Sequence, residues 1–220
     1  MLKIALLGIG NMGKNHLRIL SMLKGVEICS IFDVNESELK KLSAQYNVPY
    51  TLNMDEAIEG VDAVLIVTST STHFDYFSKC VGKVKNIFVE KPLATTYEDA
   101  CLMEELACKH QTFVQCGFIE RFNPVVSALK NVLSEREVIN MDFTRTNRLS
   151  SRISDVDVVL DLMIHDLDLA LFFNGPVKNV VAYGKNENDL IAFASVILEH
   201  TSGARSRVLA SRMTEKKMQD

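Results

Sequence analysis

Six residues near the start constrain this chain more than any others. Gly8-Ile9-Gly10-Asn11-Met12-Gly13 is a GxGxxG directly behind the apolar run Leu2–Leu7. Glycines at this spacing also serve ordinary turns. A strand-length run before them and a helical pattern after them narrow the reading to a strand–turn–helix whose backbone amides and helix N-terminus cradle an anion. Gly8 permits the tight turn, Gly10 lets backbone approach a pyrophosphate, and Gly13 lets helix and strand pack closely; Asn11 and Met12 complete the loop as candidate contacts. The pattern then asks for an acid about 20 residues on, at the end of the second strand. Asp33 stands there, after Ile31-Phe32. Its carboxylate suits the hydroxyls of an adenine ribose and repels a 2′-phosphate, and no arginine is nearby in sequence to receive one. The expected cofactor is NAD, with NADP disfavoured. The competing reading is a structural turn with Asp33 capping the next helix.

The rest of the first half alternates. Val26–Phe32, Val61–Val67, Asn86–Val89 and Thr112–Cys116 read as strands. A helix follows the glycines with Met12, His16, Ile19, Leu20 and Leu23 on one face; further helices span Glu36–Tyr46, Thr72–Val81 and Tyr97–His110, the last opened by a Thr95-x-x-Glu98 capping box. Strands alternating with helices mean βαβ units and a parallel sheet, and unalternated apolar runs fit strands buried on both faces. Beyond Gly117 the pattern changes. A helix begins at Pro124, a strand spans Glu137–Arg145, Thr146–Ser154 is polar and irregular, and a helix spans Val158–Phe173 up to Asn174-Gly175-Pro176. Strands Val177–Gly184, Leu190–Glu199 and Ala204–Arg212 follow, the last two joined by a Thr201-Ser202-Gly203 turn. The expected fold class is α/β: a Rossmann dinucleotide-binding domain over residues 1–117, then over residues 118–220 an α+β domain on a mostly antiparallel sheet, for substrate binding and oligomerisation.

Composition excludes several classes. With 47% apolar and 24% charged residues the chain is neither disordered nor fibrous. A net charge of −4 argues against nucleic acid as the main partner. No apolar stretch approaches the ~20 residues of a membrane span, and none has the form of a signal peptide. Five cysteines without a CxxC pair imply reduced thiols and a cytoplasmic chain.

Chemistry is expected at three places. Lys91, in Glu90-Lys91-Pro92 after the fourth strand, stands where strand ends face the ligand crevice of a parallel sheet; it donates to a substrate hydroxyl or is a plain surface lysine. Asp161 and His165 are four apart on one helix face, an arrangement suited to general acid–base work, to helix stabilisation alone, or, with Asp155, Asp157, Asp166 and Asp168 nearby, to a metal; no metal is the preferred reading. Arg145, Arg148 and Arg152, with Arg121, offer guanidinium forks for a diphosphate or form a solvated basic loop. His16 and His73 sit at helix starts near the glycine loop, whereas His110 and His200 read as surface residues.

GIGNMGKNH, then Glu90-Lys91-Pro92, then Asp161–Leu169 (DLMIHDLDL) resemble, in that order, the Gfo/Idh/MocA oxidoreductases. The resemblance implies that Lys91, Asp161 and His165 form the catalytic group, and adds Thr68, Ser69, Thr70, His73 and Glu90 to the cofactor-binding set. Gly117–Pro124 and Arg152–Val156 further resemble the members that oxidise UDP-N-acetylglucosamine at C3, with Arg121, Asn123, Arg148 and Arg152 as substrate contacts. The implied reaction is hydride transfer to NAD from a sugar secondary alcohol, at C3 of a UDP-N-acetylhexosamine. Another sugar or an inositol-like polyol, and a non-catalytic dinucleotide-binding regulator, are the alternatives. Ser69 and Asp157 depart from the family's pattern, which favours proline and glycine there. Family members run longer, so the second sheet is expected to be shortened; a dimer or tetramer through that sheet is the expected assembly.

Overall fold

Alternate residues of the first strand, β1 (Leu2–Leu7), belong to two different cores. Ile4 and Leu6 join Leu17, Ile31, Leu39 and Leu42 on one face, while Ala5 and Leu7 join Val64, Phe77, Val89 and Met103 on the other. Each large side chain so buried contributes about 1.5–3 kcal/mol relative to exposure. The computed structural model describes residues 1–133, 137–148, 156–187 and 189–219. It divides into two compact units, Met1–Gly117 and Phe118–Asp220.

In the first unit β1 is followed by α1 (Asn11–Leu20), β2 (Val26–Phe32), α2 (Glu36–Tyr46), β3 (Tyr50–Thr51), α3 (Met54–Ala57), β4 (Ala63–Ile66), α4 (His73–Cys80), β5 (Asn86–Val89), α5 (Tyr97–His110) and β6 (Phe113–Cys116). Among the described residues the strands form one parallel six-stranded sheet in the order β3-β2-β1-β4-β5-β6. This is the doubly wound dinucleotide-binding arrangement, whose order reverses between β1 and β4. The two-residue β3 and the one-turn α3 are too short to carry a hydrophobic period and are not legible in the sequence. Helix α5 is capped not by Thr95 but by Thr96, whose hydroxyl accepts from the Asp99 amide at 3.1 Å.

The face of α1 also differs from its apolar pattern. Gly13 and Leu17 turn inward, and Met12 and Ile19 are left 47% and 44% exposed. The cause is Gly13: a Cβ there would fall 2.1 Å from the Gly8 carbonyl oxygen, so this glycine is the point at which helix meets strand, and Leu17 lies one turn further on.

The second unit opens with α6 (Pro124–Leu133), then β7 (Asn140–Arg148), a π-helical turn Val159–Met163 running into α7 (Ile164–Asn174), β8 (Val177–Glu187), β9 (Leu190–His200), β10 (Arg205–Ser211) and β11 (Met213–Gln219). The sheet order is β11-β7-β10-β9-β8, with three antiparallel pairs and one parallel pair, β10 with β7. Strand β7 starts later than the sequence suggests and takes in Thr146–Arg148, because Ser211 pairs with Thr146 and Met213 with Arg148. The expected helix from Val158 begins instead as a π turn. Asp157 holds it, its Oδ1 accepting from the Val159 and Leu160 amides at 2.9 Å each.

One sheet face packs under this segment through Val158, Met163, Ala170, Ala194, Val196, Leu198, Val208 and Ala210. The other leaves Val181, Tyr183 and Ile197 exposed. Ile191 packs against the helix-side cluster. His200, which reads as a surface residue, is fully buried, its ring bonded to the Gly175 carbonyl and to Ser206. Among the described residues no helix is long and apolar enough to cross a membrane.

Two glycines of one motif should therefore respond differently. Gly13→Ala forces backbone into backbone and should destabilise the fold by more than about 2 kcal/mol. A Cβ added at Gly10 would meet no heavy atom within 4 Å, so Gly10→Ala should stay within about 0.5 kcal/mol of the parent. Urea unfolding of both variants checks this; equal midpoints would refute the close contact.

Candidate active site

Where the strand order reverses, the carboxyl ends of β1 and β4 part and a crevice opens. A cleft of about 440 Å³ lies there, lined by Gly8, Gly10, Asn11, Met12, Asp33, Thr68 and Ser69 among others. Residues from three separate stretches of sequence thus share one wall. Helix α1 starts in this cleft with Gly10 at its N-cap, no side chain capping it and no acid in its first turn. Its leading amides and positive dipole end are left for an anion, and the open space at Gly10 admits one closely. These residues fit the pyrophosphate of a dinucleotide.

Asp33 has a second task beside the one its position suggests. Its Oδ2 accepts from the Ile9 amide at 2.8 Å and its Oδ1 from the Asn35 amide at 2.9 Å. The acid ties the end of β2 to the glycine loop. A carboxylate has about four lone-pair sites, so capacity for ribose hydroxyls remains. Tyr76 and Thr72 also line the cleft, and sequence reasoning did not single them out. The Tyr76 hydroxyl is pushed up by burial and by the charge of Asp33, and its ring stacks edge-on against Phe32 at 5.7 Å.

The remaining first-unit candidates sit off the cleft wall. Gly13 lies behind the loop against Gly8. Thr70 opens a short 3₁₀ turn, Thr70–Thr72. His73 is only 1% exposed, and its ring nitrogens lie 2.9 Å from the Pro92 carbonyl and 3.1 Å from the Thr68 carbonyl. Glu90 directs its carboxylate inward: Oε1 lies 2.7 Å from His16 Nε2, and Oε2 accepts from the Lys91 amide at 3.1 Å. Both side chains hold backbone around Lys91, which follows β5 at the same carboxyl edge of the sheet. A larger groove of about 610 Å³ along α5 and β6 is lined mainly by apolar residues such as Leu93, Met103 and Val114. It lacks the convergent polar groups of a reaction site.

In the second unit Asp161 stands on the π turn and His165 in the first turn of α7. Arg212, which the sequence reading gave only as a strand end, holds Asp161. Its Nη2 donates to Asp161 Oδ2 at 2.7 Å and its Nη1 to the Val156 carbonyl. The Arg212 side chain is 3% exposed. The only sequence signal was an arginine just past the apolar run Val208–Ala210, whose Val208 and Ala210 are buried.

The acids that follow are each taken by an arginine. Arg145 donates to both oxygens of Asp166, at 3.0 and 2.8 Å, and to Glu120 at 3.1 Å. Burial works against the charge of Arg145, but these bonds and charges outweigh it and raise the group above its usual range. Arg121 forms a two-pronged pair with Asp168 and lies beside the rings of Phe118 and Phe172. The guanidinium forks of Arg121 and Arg145, expected to meet phosphate, therefore meet carboxylates. Asn123, also expected at substrate, caps α6: its Oδ1 accepts from the Val125 amide and its Nδ2 donates to Glu120. The Arg148 side chain and the whole of Arg152 lie outside the described residues.

Comparison with known proteins places this architecture. Residues 2–118 match an oxidoreductase family described by its NAD-binding Rossmann fold, and residues 137–220 match the Gfo/Idh/MocA C-terminal domain. The chain is 28% identical over 196 residues to the inositol 2-dehydrogenase of Acidothermus cellulolyticus, covering 84% of this chain and 58% of that one. It is 27% identical to the UDP-N-acetylglucosamine 3-dehydrogenase of Acidithiobacillus ferrooxidans, covering 96% of this chain and 67% of that one. A solved structure of the latter matches with a TM-score of 0.92 at 26% identity, over 99% of this chain and 72% of its own. An oxidoreductase from Agrobacterium radiobacter, solved with NAD⁺, L-tartaric acid and magnesium, matches with a TM-score of 0.90 at 25% identity, over 99% of this chain and 68% of its own. The chain thus spans from 58% to 72% of the length of these relatives. With both of its units matched in order, the chain belongs to the Gfo/Idh/MocA oxidoreductase family, its first unit an NAD-binding Rossmann domain.

Proposed function

We propose that the chain acts as a dehydrogenase, moving hydride from a secondary alcohol of a sugar or cyclic polyol to NAD. The observation that carries this reading is Lys91, a cation directly after β5 on the carboxyl edge where the glycine cleft opens. Bound in the cleft, NAD supplies the carbon that accepts hydride. Lys91 donates to the substrate oxygen and stabilises the negative charge that develops there. His165 removes the hydroxyl proton, and Asp161, oriented by Arg212, positions the substrate or the imidazole.

The substrate reading put first is a UDP-N-acetylhexosamine oxidised at C3, supported by similarity to the Acidithiobacillus enzyme along 96% of this chain. A second reading, an inositol-like polyol, is favoured by the pairing of Arg121 and Arg145 with carboxylates, which leaves fewer forks for a diphosphate. Inositol dehydrogenases from Acidothermus cellulolyticus and Thermotoga maritima are 28% identical to this chain. The exposed face carrying Val181, Tyr183 and Ile197 is assigned to a homo-oligomeric contact, since an apolar patch on a sheet is costly to leave in water.

Reduction of NAD, followed by absorbance, should occur with UDP-N-acetylglucosamine or an inositol and be weaker with NADP. The rates with UDP-N-acetylglucosamine and with an inositol separate the two readings; free N-acetylglucosamine should be a much poorer substrate than its UDP form, and equal rates for the two would remove the diphosphate grip. Lys91→Ala and His165→Ala should each lower turnover about 10²–10⁴-fold, with NAD affinity nearly intact. Wild-type turnover in both variants would overturn the catalytic assignment.

Arg212→Met should cost about 3–5 kcal/mol in urea unfolding, because it strips a charge partner from Asp161. Adding Asp161→Leu to that variant should recover part of the loss; no recovery would mean that Arg212 acts through packing alone. Light scattering at micromolar concentration should show a dimer or tetramer that Val181→Lys with Ile197→Lys dissociates. A monomeric parent protein would contradict the sheet contact.

A further inference from the structure

Two histidines flank Lys91 from opposite sides. His16 lies on α1, the helix whose N-terminus faces the cofactor cleft, and its Nε2–H reaches Glu90 Oε1 at 2.7 Å with side-chain exposures of 24% and 13%. The His16 ring also meets Phe88 edge-on at 5.4 Å. Gly117 closes the slot behind: a Cβ there would lie 2.9 Å from Glu90 Oε2 and 3.0 Å from the Phe88 ring. The carboxylate has little freedom to turn away.

On the far side of Lys91, His73 begins α4 and lies between two carbonyl oxygens, those of Pro92 and Thr68. A neutral ring donates to one of them at a time and a protonated ring to both. Thr68 itself lines the cofactor cleft. The residue before Lys91 is thus tied to one cofactor-facing helix, and the residue after it to a second helix and to the cleft wall.

Strand β5 needs none of this for its own register. It is already paired with β4 and β6, and the Glu90 amide donates to the Ile66 carbonyl at 2.9 Å. A largely buried carboxylate is costly unless paired. Burial acts to raise the Glu90 carboxyl, but the bonds from His16 and the Lys91 amide outweigh it and hold the group below its ordinary range. The charge is retained where its contacts fall on the lysine's own backbone.

We propose that His16 and His73 are positioning residues that clamp the Glu90-Lys91-Pro92 loop at two points, so that seating a dinucleotide at the head of α1 fixes the placement of Lys91. Its effect on turnover rests on the dehydrogenase reading above; the clamp does not. Hydrogen–deuterium exchange of the full chain, with and without NAD, tests it in His16→Phe, His16→Gln and His73→Phe. Exchange in the segment 88–95 should rise about tenfold in both phenylalanine variants, with β1 and β2 unchanged. NAD should slow that segment in the parent protein and not in His16→Phe. His16→Gln, which keeps an N–H donor for Glu90, should restore most of the protection.

NAD affinity in His16→Phe should stay near that of the parent while kcat falls about ten- to a hundredfold, the cost of misplacing a catalytic group. Unchanged exchange in 88–95, or a rise spread evenly over the first unit, would overturn the clamp. Should His73→Phe fail to fold, the His16 pair of variants decides. Loosened exchange in a protein that oxidises no substrate would uphold the clamp and remove the dehydrogenase reading.

Discussion

The contact on which the first unit depends is the meeting of Gly13 with the Gly8 carbonyl, closer than any side chain allows. It fixes both the distance and the rotation of α1 over β1. Distance brings the helix N-terminus to the mouth of the cleft, where its leading amides suit an anion. Rotation turns Leu17 into the core and carries the neighbouring His16 to Glu90. One missing methyl group therefore sets both the cofactor end of the helix and the support of the lysine loop. The exposed Met12 and Ile19 are a consequence: the close approach, rather than the average of the apolar residues, decides which face goes inward.

The second unit is ordered by a different force. Its π turn and the helix after it carry acids at Asp161, Asp166 and Asp168, each met by an arginine from elsewhere in the same unit. Like charges crowded on one segment repel, and a carboxylate half out of water is costly alone. The guanidinium partners offset both costs, and at Asp166 and Asp168 two parallel hydrogen bonds also fix the carboxylate in direction. At Asp157 the side chain holds two amides at the head of the π turn.

What was legible in the sequence was whatever is local. Leu2–Leu7, Val26–Phe32 and Asn86–Val89 read correctly because a strand buried on both faces is a short uninterrupted apolar run. The glycine loop read correctly because its cradle is contiguous, and Asp33, 24 residues from Ile9, because the strand–turn–helix–strand pattern fixes where the second strand ends. Contacts that close over distance were not legible. Arg212 and Asp161 are 51 residues apart, and His16 and Glu90 are 74 apart; no periodicity joins them. For the same reason His200, a polar residue before a turn, read as surface although Ser206 and the Gly175 carbonyl satisfy its ring inside the core. The carboxylate partners of Arg121 and Arg145 were not legible either: a fork suited to phosphate is equally suited to carboxylate, and Asp168 and Asp166 are 47 and 21 residues away.

That equivalence bears on how such a site could distinguish a neutral polyol from a charged nucleotide sugar. Arg145 is 12% exposed and held by two acids, so a phosphate would have to displace both from a nearly dry position. Arg121 is 42% exposed and pairs with Asp168, while the rings of Phe118 and Phe172 support its face. A guanidinium stacked on aromatic rings keeps its orientation when its carboxylate partner changes. Of the two, Arg121 is the fork that an anionic substrate can compete for. Under the proposed nucleotide-sugar reading, selectivity there would be a contest between a buried aspartate and a diphosphate for the same pair of N–H donors. Asp168, 7% exposed in its side chain, would lose this charge partner in that exchange. The cost of leaving that carboxylate behind sets how tightly a phosphate must bind before it is accepted.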